Sequence, residues 1–489
     1  MGTIMYLIKL NMPTIIRVKY LFKLFTVLQC LIASQLFSQT SRPNIIFILS
    51  DDQRWNAVGY MNNNIIRTPE IDALAKAGTY FENAFSSTPI CAASRASIFT
   101  GTHERTHGYT FQKPKLKEPY AQYLYPKILK ENNYHVGFFG KLGILLDSAS
   151  SYFDESEFYD RSEEFGKKGY FYKTIGKDTV HLTRYTGHKA LQFINNAPLN
   201  KPFCLSLFFS APHAHDNSIE QYYNQNDISE NYGKSTIPPP FLSDSIFFKD
   251  LPKEVQAGYN KVRWRWRFDT PEKYQQSVKA YYQMITELDH EIGLIRKQLI
   301  ERGIDKNTVI IVMSDNGYFL GDRQIADKWL MYDPSIRIPL LIFDPRVNNP
   351  TIVKEMVLNL DIPKTILQIA KVNPPDVYQG IGLPILNDEV GILKKRKSIL
   401  IEHLWDFDKI PSSEGIRTDR WKYFHYRHIN APEELYDLKK DPLEKTNLAA
   451  NKKYRKTLQL LRNKFFELSK FYEAKKLCPD DPFIKDQKF

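Results

Sequence analysis

The 489-residue sequence predicts an α/β sandwich: a large mixed or mostly parallel central sheet flanked by helices, plus a smaller C-terminal α+β subdomain. Three observations carry that expectation. Short runs apolar on both faces recur as far as residue 345, which a sheet covered by helices on both sides requires. Helical patterns fall between them. Near 373–390 the stretch "NPPDVYQGIGLPILND", rich in Pro and Gly, breaks the pattern and marks a boundary.

Taken in order, residues 1–38 read as a leader. Arg17, Lys19 and Lys23 precede the apolar run "LFTVLQCLIASQLF" and a small polar stretch, the arrangement of a secretory signal cleaved near Ser38. The run falls short of the ~20 residues a membrane span needs, so no stable span is expected. The strand candidates are "NIIFILS" (44–50), "YHVGFFG" (134–140), "PFCLSLFFS" (202–210), "NTVIIVMS" (307–314) and "IPLLIFDP" (338–345). "TPEIDALAKAG" reads as a helix with Thr68 as N-cap, Pro69 at its first position and Gly78 just past its end. The longest helix is expected over about 271–302. The polar, Pro-containing region 216–268 is read as long surface loops, where substrate contacts tend to lie. These elements place a catalytic domain at 42–380 and a C-terminal subdomain at 390–489. In the latter, "KSILIEH" and a hairpin turning at Asp419 form a small antiparallel sheet, and a closing helix covers about 451–475.

The formal net charge is +12; losing the leader, with its four cations and no acid, leaves +8. A basic surface suits an anionic partner. No helix-turn-helix, zinc-finger or RNP pattern is present, so nucleic acid is not expected; an exported, periplasmic or secreted chain fits a polyanionic glycan better. Of four cysteines, Cys30 leaves with the leader. Cys91, Cys204 and Cys478 cannot make a disulfide framework. Cys204 sits in a buried-strand pattern and reads as a core thiol; a bridge from it to Cys478 has no support in the sequence.

Chemistry gathers at strand ends. Asp51 and Asp52 follow the first strand, and Asp315 and Asn316 follow another, both at the carboxyl edge where α/β sheets place their sites. Three carboxylates and an amide converging there call for a hard cation, and oxygen-only ligation selects Ca²⁺ or Mg²⁺ over zinc. Cys91, in "SSTPICAASRASIFTG", is then puzzling. A cysteine nucleophile needs a base, and "CAASRAS" offers none nearby; nearby carboxylates would also raise the thiol pKa.

"CAASR" followed by "ASIFTG" resembles the signature of the type I sulfatases, in which the cysteine is oxidised to formylglycine by a maturation enzyme. "RPNIIFILSDDQRWNAVGY", "FFGK", "APH", "TVIIVMSDNGYFLGD", "DKWLMYDPSIRIPLLIFDPR" and "EELYDLKKDPLEKTNLA" resemble further segments in the family's order, from residue 42 to about 450. The resemblance implies the fold of the alkaline phosphatase superfamily and hydrolysis of sulfate esters. By position, Asp51, Asp52, Asp315, Asn316 and the converted Cys91 would hold one calcium ion. Arg95 would support the formylglycine, Lys141 and Lys328 would contact sulfate oxygens, and His213 would protonate the departing alcohol. The implied nucleophile is one hydroxyl of the hydrated aldehyde, whose second hydroxyl later expels sulfate. One position departs: where the family reads Gly-Lys-x-His, "GKLGIL" has Gly143, and His215 is a candidate replacement.

For the substrate, "KVRWRWRFD" (261–269), read as extended, places Arg263, Arg265 and Arg267 on one face able to meet sugar carboxylates or sulfates. The same residues equally fit an exposed basic edge strand. Arg54, Trp55 and His403 are further pocket-wall candidates. Together these point to a carbohydrate sulfatase acting on sulfated oligo- or polysaccharide, with algal polymers such as ulvan as one source. Two alternatives stay open: a phosphate or phosphonate ester hydrolase of the same superfamily, and an inactive glycan-binding relative, the latter motivated by Gly143.

Overall fold

The computed structural model describes residues 42–478, apart from 112–114, 160–171, 217, 219, 348–349, 384–395, 406 and 408. The leader reading at 1–38 lies outside the described residues. In chain order the strands are β1 (Asn44–Ser50), β2 (Thr79–Phe85), β3 (His135–Gly140), β4 (Glu155–Phe158), β5 (Tyr172–Ile175), β6 (Asp178–His181), β7 (Phe203–Phe208) and β8 (Thr308–Ser314). There follow β9 (Phe319–Leu320), β10 (Ala326–Asp327), β11 (Leu340–Phe343), β12 (Thr351–Leu358), β13 (Ile399–His403), β14 (Ser413–Arg417), β15 (Trp421–Tyr426) and β16 (Glu434–Asp437).

Eight strands form the central sheet in the order β12–β2–β11–β8–β1–β7–β3–β4. All neighbours run parallel except β11, which is antiparallel to both β2 and β8. The chain therefore has the mostly parallel sheet its apolar runs predict. Alternation along β1 shows why those runs carry no polar face. Ile45, Phe47 and Leu49 enter one core cluster, while Ile46 and Ile48 enter the cluster on the opposite face. β8 divides in the same way, with Val309, Ile311 and Met313 on one side and Ile310 and Val312 on the other. Each such side chain, fully buried, contributes about 1.5–3 kcal/mol of transfer free energy.

The longer helices are α1 (Pro69–Ala77), α2 (Cys91–Thr100), α3 (Leu182–Asn196), α4 (Tyr259–Arg267), α5 (Pro271–Glu301) and α6 (Arg455–Glu473). α1 starts where Pro69 predicts, but Thr68 is not its side-chain cap. Its hydroxyl accepts from the Gly59 amide at 2.8 Å and donates to Asp72 at 3.0 Å. The orphan amides of Glu70 and Ile71 donate instead to Asp289 of α5, at 3.2 and 2.7 Å. A tertiary carboxylate has replaced the local cap.

α4 overturns the extended reading of "KVRWRWR". From a Gly258 N-cap the segment winds into a helix, which puts Arg263 and Arg267 four apart on one face and sends Arg265 to the solvent side. The region 216–268 is likewise not all loop, since it also contains short helices at Ile228–Tyr232, Ser245–Lys249 and Lys253–Ala257. The C-terminal sheet, β13–β14–β15–β16, is antiparallel throughout. One face packs Leu400, Ile416, Tyr423 and Leu435 against Leu458, Leu461 and Phe465 of α6. Cys204 is fully buried in β7, and Cys91, Cys204 and Cys478 are all free. Among the described residues no helix is long and apolar enough to cross a membrane.

Candidate active site

Four neighbouring strands, β8, β1, β7 and β3, run parallel and deliver their carboxyl ends side by side. From those ends come Asp315 and Asn316, Asp51 and Asp52, the loop bearing His213, and Lys141. α2 enters with Cys91 as its first residue and Arg95 one turn on, both buried. Lys328 arrives from the segment after β10. The fold thus collects nine of the sequence-predicted residues at one edge of the sheet, where α/β folds place their sites.

The contacts alternate in charge. Arg95 Nε donates to Asp315 Oδ2 at 2.9 Å, and its guanidinium lies 3.3 Å from Asp51 Oδ2; it also donates to the carbonyl of Lys141. The Lys141 ammonium pairs with Asp51, and that of Lys328 pairs with Asp52 while standing 3.8 Å from Asp51. Asn316 Nδ2 donates to Asp52 Oδ1 at 2.7 Å, and the Asp52 amide donates to Asp315 Oδ1 at 3.1 Å. His213 presents Nε2 at 3.7 Å from Asp52 Oδ2, with Nδ1 hydrogen-bonded to the Ala214 carbonyl at 2.6 Å. Asp52 itself takes a φ of 68°, a left-handed conformation that favours glycine.

These surroundings separate two adjacent aspartates. Burial pushes both up, but for Asp51 the charges of Lys141 and Arg95 outweigh burial and hold it far below the usual carboxylate range. Asp52 stays raised, to about 6, because burial and the Asp51 charge exceed the help from Lys328. Asp315 is raised to about 6 by burial and then by Asp51. Burial, then the Lys141 charge, lowers His213 to about 3. Burial works against the Lys328 ammonium, yet Asp52, the nearby Cys91 and Asp51 raise it well above the ordinary lysine value.

Whether the site suits a cation is answered by its oxygens. Asp51 Oδ1 and Asn316 Oδ1 are buried and have no hydrogen-bond partner, and such atoms cost free energy unless something positive meets them. Asp51, Asp52 and His213 can each bring a ligand atom within 4.8 Å of the others. Asp315 is engaged on both oxygens, by Arg95 and the Asp52 amide. The donor set, chiefly hard oxygen, suits a hard divalent cation.

Other sequence candidates lie outside this cluster. Arg54 is clamped by Asp322 through two contacts of 2.6 and 3.2 Å, and Trp55 lies under the Arg337 guanidinium at 3.9 Å. Arg265 is exposed on α4. His403 is fully buried, 6.4 Å from the Trp405 ring. His215 packs against Tyr223 at 5.4 Å. At Gly143 φ is +76°, and an added Cβ would stand 2.5 Å from Arg95 Cδ. The backbone and the buried arginine together occupy the place a side chain would need.

Residues absent from the sequence reading also shape the site. The Tyr281 hydroxyl of α5 donates to the Asp52 carbonyl at 2.7 Å and accepts from the Arg54 amide at 2.8 Å. Ser94 hydrogen-bonds the Asp315 carbonyl and accepts from Asn359 at 2.8 Å. Tyr281 lies 229 residues from Asp52, so no local pattern could announce it.

Comparison with known proteins identifies the family. A family model described as "Sulfatase" matches residues 43–372, and one described as "N-sulphoglucosamine sulphohydrolase, C-terminal" matches 321–471. The chain is similar to an N-acetylglucosamine-6-O-sulfatase of Bacteroides thetaiotaomicron, 27% identical over 496 residues that cover 89% of this chain and 88% of that protein. It is also similar to an ulvan-active sulfatase of Formosa agariphila, 26% identical over 458 residues, 89% of this chain and 83% of that one. A solved structure described as in complex with its substrate D-glucosamine-2-N,6-O-disulfate shares the fold. Its TM-score is 0.74 at 24% identity, covering 91% of this chain and 99% of that one.

Proposed function

This chain belongs to the sulfatase family, and from that membership we propose that it hydrolyses sulfate esters on carbohydrate, using a formylglycine made from Cys91 and one bound calcium ion. The observation that carries the reading is the meeting of Asp51, Asp52, Asn316, Lys141, Lys328 and His213 around the buried start of α2. When present, the formylglycine supplies a hydroxyl nucleophile through its hydrate, and calcium supplies positive charge beside a sulfate. Asp51, Asp52 and Asn316, with Asp315 behind them, would hold the ion through their oxygens.

The chain's own residues do the rest. Lys141 and Lys328 are compact cations anchored on Asp51 and Asp52, placed to meet sulfate oxygens and the charge that gathers on them as the ester bond breaks. Arg95 is fully buried and pairs with Asp315 and Asp51 at once, bracing the floor of the site. His213 Nε2 faces the same space and is assigned the proton for the departing alkoxide, a proton it takes up when the negative charge of a bound sulfate offsets burial and Lys141 and raises the ring above about 3. A sulfated oligo- or polysaccharide is the proposed substrate, in keeping with the basic net charge. The leader pattern supports export, and conversion of Cys91 calls for a maturation enzyme.

The test is the mass of the peptide around residue 91, with turnover of an aryl sulfate and of sulfated sugars. Conversion of the thiol to the aldehyde, together with activity lost in Cys91→Ala and on calcium chelation, is expected. An unmodified thiol in active protein, or preferential turnover of phosphonate esters, overturns the assignment. Glycan binding without turnover marks an inactive relative.

A further inference from the structure

Two arginines that the sequence pattern suggests for substrate contact face inward instead. Arg263 and Arg267, one turn apart on α4, meet two carboxylates from separate segments, Asp216 in the loop after β7 and Asp327 at the end of β10. Arg263 pairs with Asp216 at 2.6 Å and with Asp327; Arg267 pairs with Asp327 at 3.3 Å and with Asp216. The four close into a ring of alternating charge; Arg267 and Asp327 are buried, at 1% and 3% side-chain exposure, and Arg263 and Asp216 are partly buried, at 17% and 14%.

What the ring joins gives it meaning. Asp216 stands three residues after His213, and Asp327 immediately precedes Lys328. Arg267 also grips the far side of the His213 loop, donating from Nε to Gln221 Oε1 at 2.8 Å, and it reaches the Tyr318 hydroxyl at 2.8 Å. α4 clasps the Lys328 segment as well. Asn260 Nδ2 donates to the carbonyls of Ala326 and Lys328, at 2.7 and 3.0 Å, and the Arg263 guanidinium lies 4.8 Å over the Trp329 ring. Asp327 and Trp329 flank Lys328 with φ of 77° and 80°, conformations non-glycine residues hold only under tertiary constraint.

A buried ion-pair ring is a costly way to gain stability, because desolvation consumes much of the attraction. What it supplies is fixed direction, since the guanidinium fork admits few geometries. We propose that Arg263 and Arg267 are positioning residues that lock the His213 loop to the Lys328 loop, so that the proton donor and the sulfate-binding cation keep one spacing. This rests on the sulfate-ester reading. It explains why the arginines need not touch substrate: each acts through Asp216 and Asp327.

The proposal has a kinetic signature that general loss of structure lacks. An aryl sulfate releases a phenolate that leaves unaided, whereas a sugar sulfate releases an alkoxide that needs a proton. Lys328 keeps its separate anchors on Asn260 and Asp52 when the ring is broken, so the His213 loop is the part set free, and misplacing His213 should slow the second ester far more than the first. The experiment compares matured wild type with Arg263→Lys, Arg267→Met and Asp216→Asn on 4-nitrophenyl sulfate and on a primary-alcohol sugar sulfate, with thermal melting alongside. The expected result is kcat on the sugar sulfate falling about 100-fold, with the aryl sulfate changing about threefold or less and KM little moved. Equal losses on both esters, or none on either, overturn the proposal. If Arg267→Met does not fold, Arg263→Lys, which keeps the charge and loses the fork, decides alone. Wild type that hydrolyses neither ester refutes the sulfate-ester reading, and the proposal falls with it.

Discussion

Gly143→Ala is the sharpest test of how the site is packed. Gly143 has φ +76°, and an alanine Cβ there would lie 2.5 Å from Arg95 Cδ and 3.2 Å from its Nε. Carbon atoms in contact sit near 3.5–4.0 Å, so the arginine would have to retreat by roughly 1 Å. It has nowhere to go: it is fully buried, and its guanidinium is held by Asp315 at 2.9 Å, by Asp51 at 3.3 Å and by the Lys141 carbonyl. The left-handed backbone costs about 1–2 kcal/mol for a residue with a Cβ, and overpacking adds about 1–3 kcal/mol. Gly303 supplies the control, with φ +67° and nothing within 4 Å of an added Cβ, so Gly303→Ala meets only the backbone cost. Denaturant melts should show Gly143→Ala destabilised by about 2–5 kcal/mol and Gly303→Ala by about 1–2 kcal/mol. In turnover of an aryl sulfate by protein matured to equal extent, Gly143→Ala should lose about 100-fold, as an ångström-scale shift of a supporting group does. Gly303→Ala should keep full activity. Gly143→His, which restores the residue the family resemblance leads one to expect, should fare no better than alanine. Wild-type turnover by Gly143→Ala, with a stability loss equal to that of Gly303→Ala, would show that Arg95 yields freely and that the packing argument is wrong.

Two predictions concern stability alone. Burial and the neighbouring Glu402 charge raise the Glu104 carboxyl to about 8, against the hydrogen bond from Thr88 at 2.7 Å and that from the Leu404 amide at 3.3 Å. A carboxyl raised in the fold contributes stability that is fully present below its unfolded value of 4.5 and lost as pH rises through about 8. The stability of wild type relative to Glu104→Gln should fall by about 1.4 kcal/mol per pH unit within that window; a flat difference between about pH 5.5 and 7.5 would refute the assignment. Asp289→Ala removes the acceptor of two amides at the start of α1 and should cost about 1–2 kcal/mol, with faster hydrogen exchange at Glu70 and Ile71. Unchanged exchange there would mean the amides find other partners.

How much of the fold was legible in the sequence depends on how far apart the causes lie. β1 and β8 coincide with runs visible by eye, because both faces are buried and every residue is apolar or small. β2 and β12 escaped. "TYFENAF" and "TIVKEMVL" are only partly buried and carry polar residues between the core ones, so neither shows a clean apolar run. The Arg–Trp alternation of α4 imitates a strand's period of two, whereas the helix puts Arg263 and Arg267 on one face, where distant carboxylates that no local pattern announces meet them.

The site divides along the same line. Asp51, Asp52, Asp315 and Asn316 could be brought to one sheet edge from the sequence because they lie just past strands that apolar runs reveal, whereas Lys141, Lys328 and His213 were reached through the family resemblance. Groups that hold those residues in place obey no such rule. Asp289 reaches α1 across 218 residues, and the Arg267–Asp216 and Arg263–Asp327 pairs span 51 and 64. Any carboxylate that arrives at the right point in space would serve, so the sequence near each partner carries no mark of the pairing. Position 143 sits between the two cases. A glycine is visible there, but its cause is the Arg95 stem, 48 residues away in sequence, and only the fold shows that the missing side chain is room already taken.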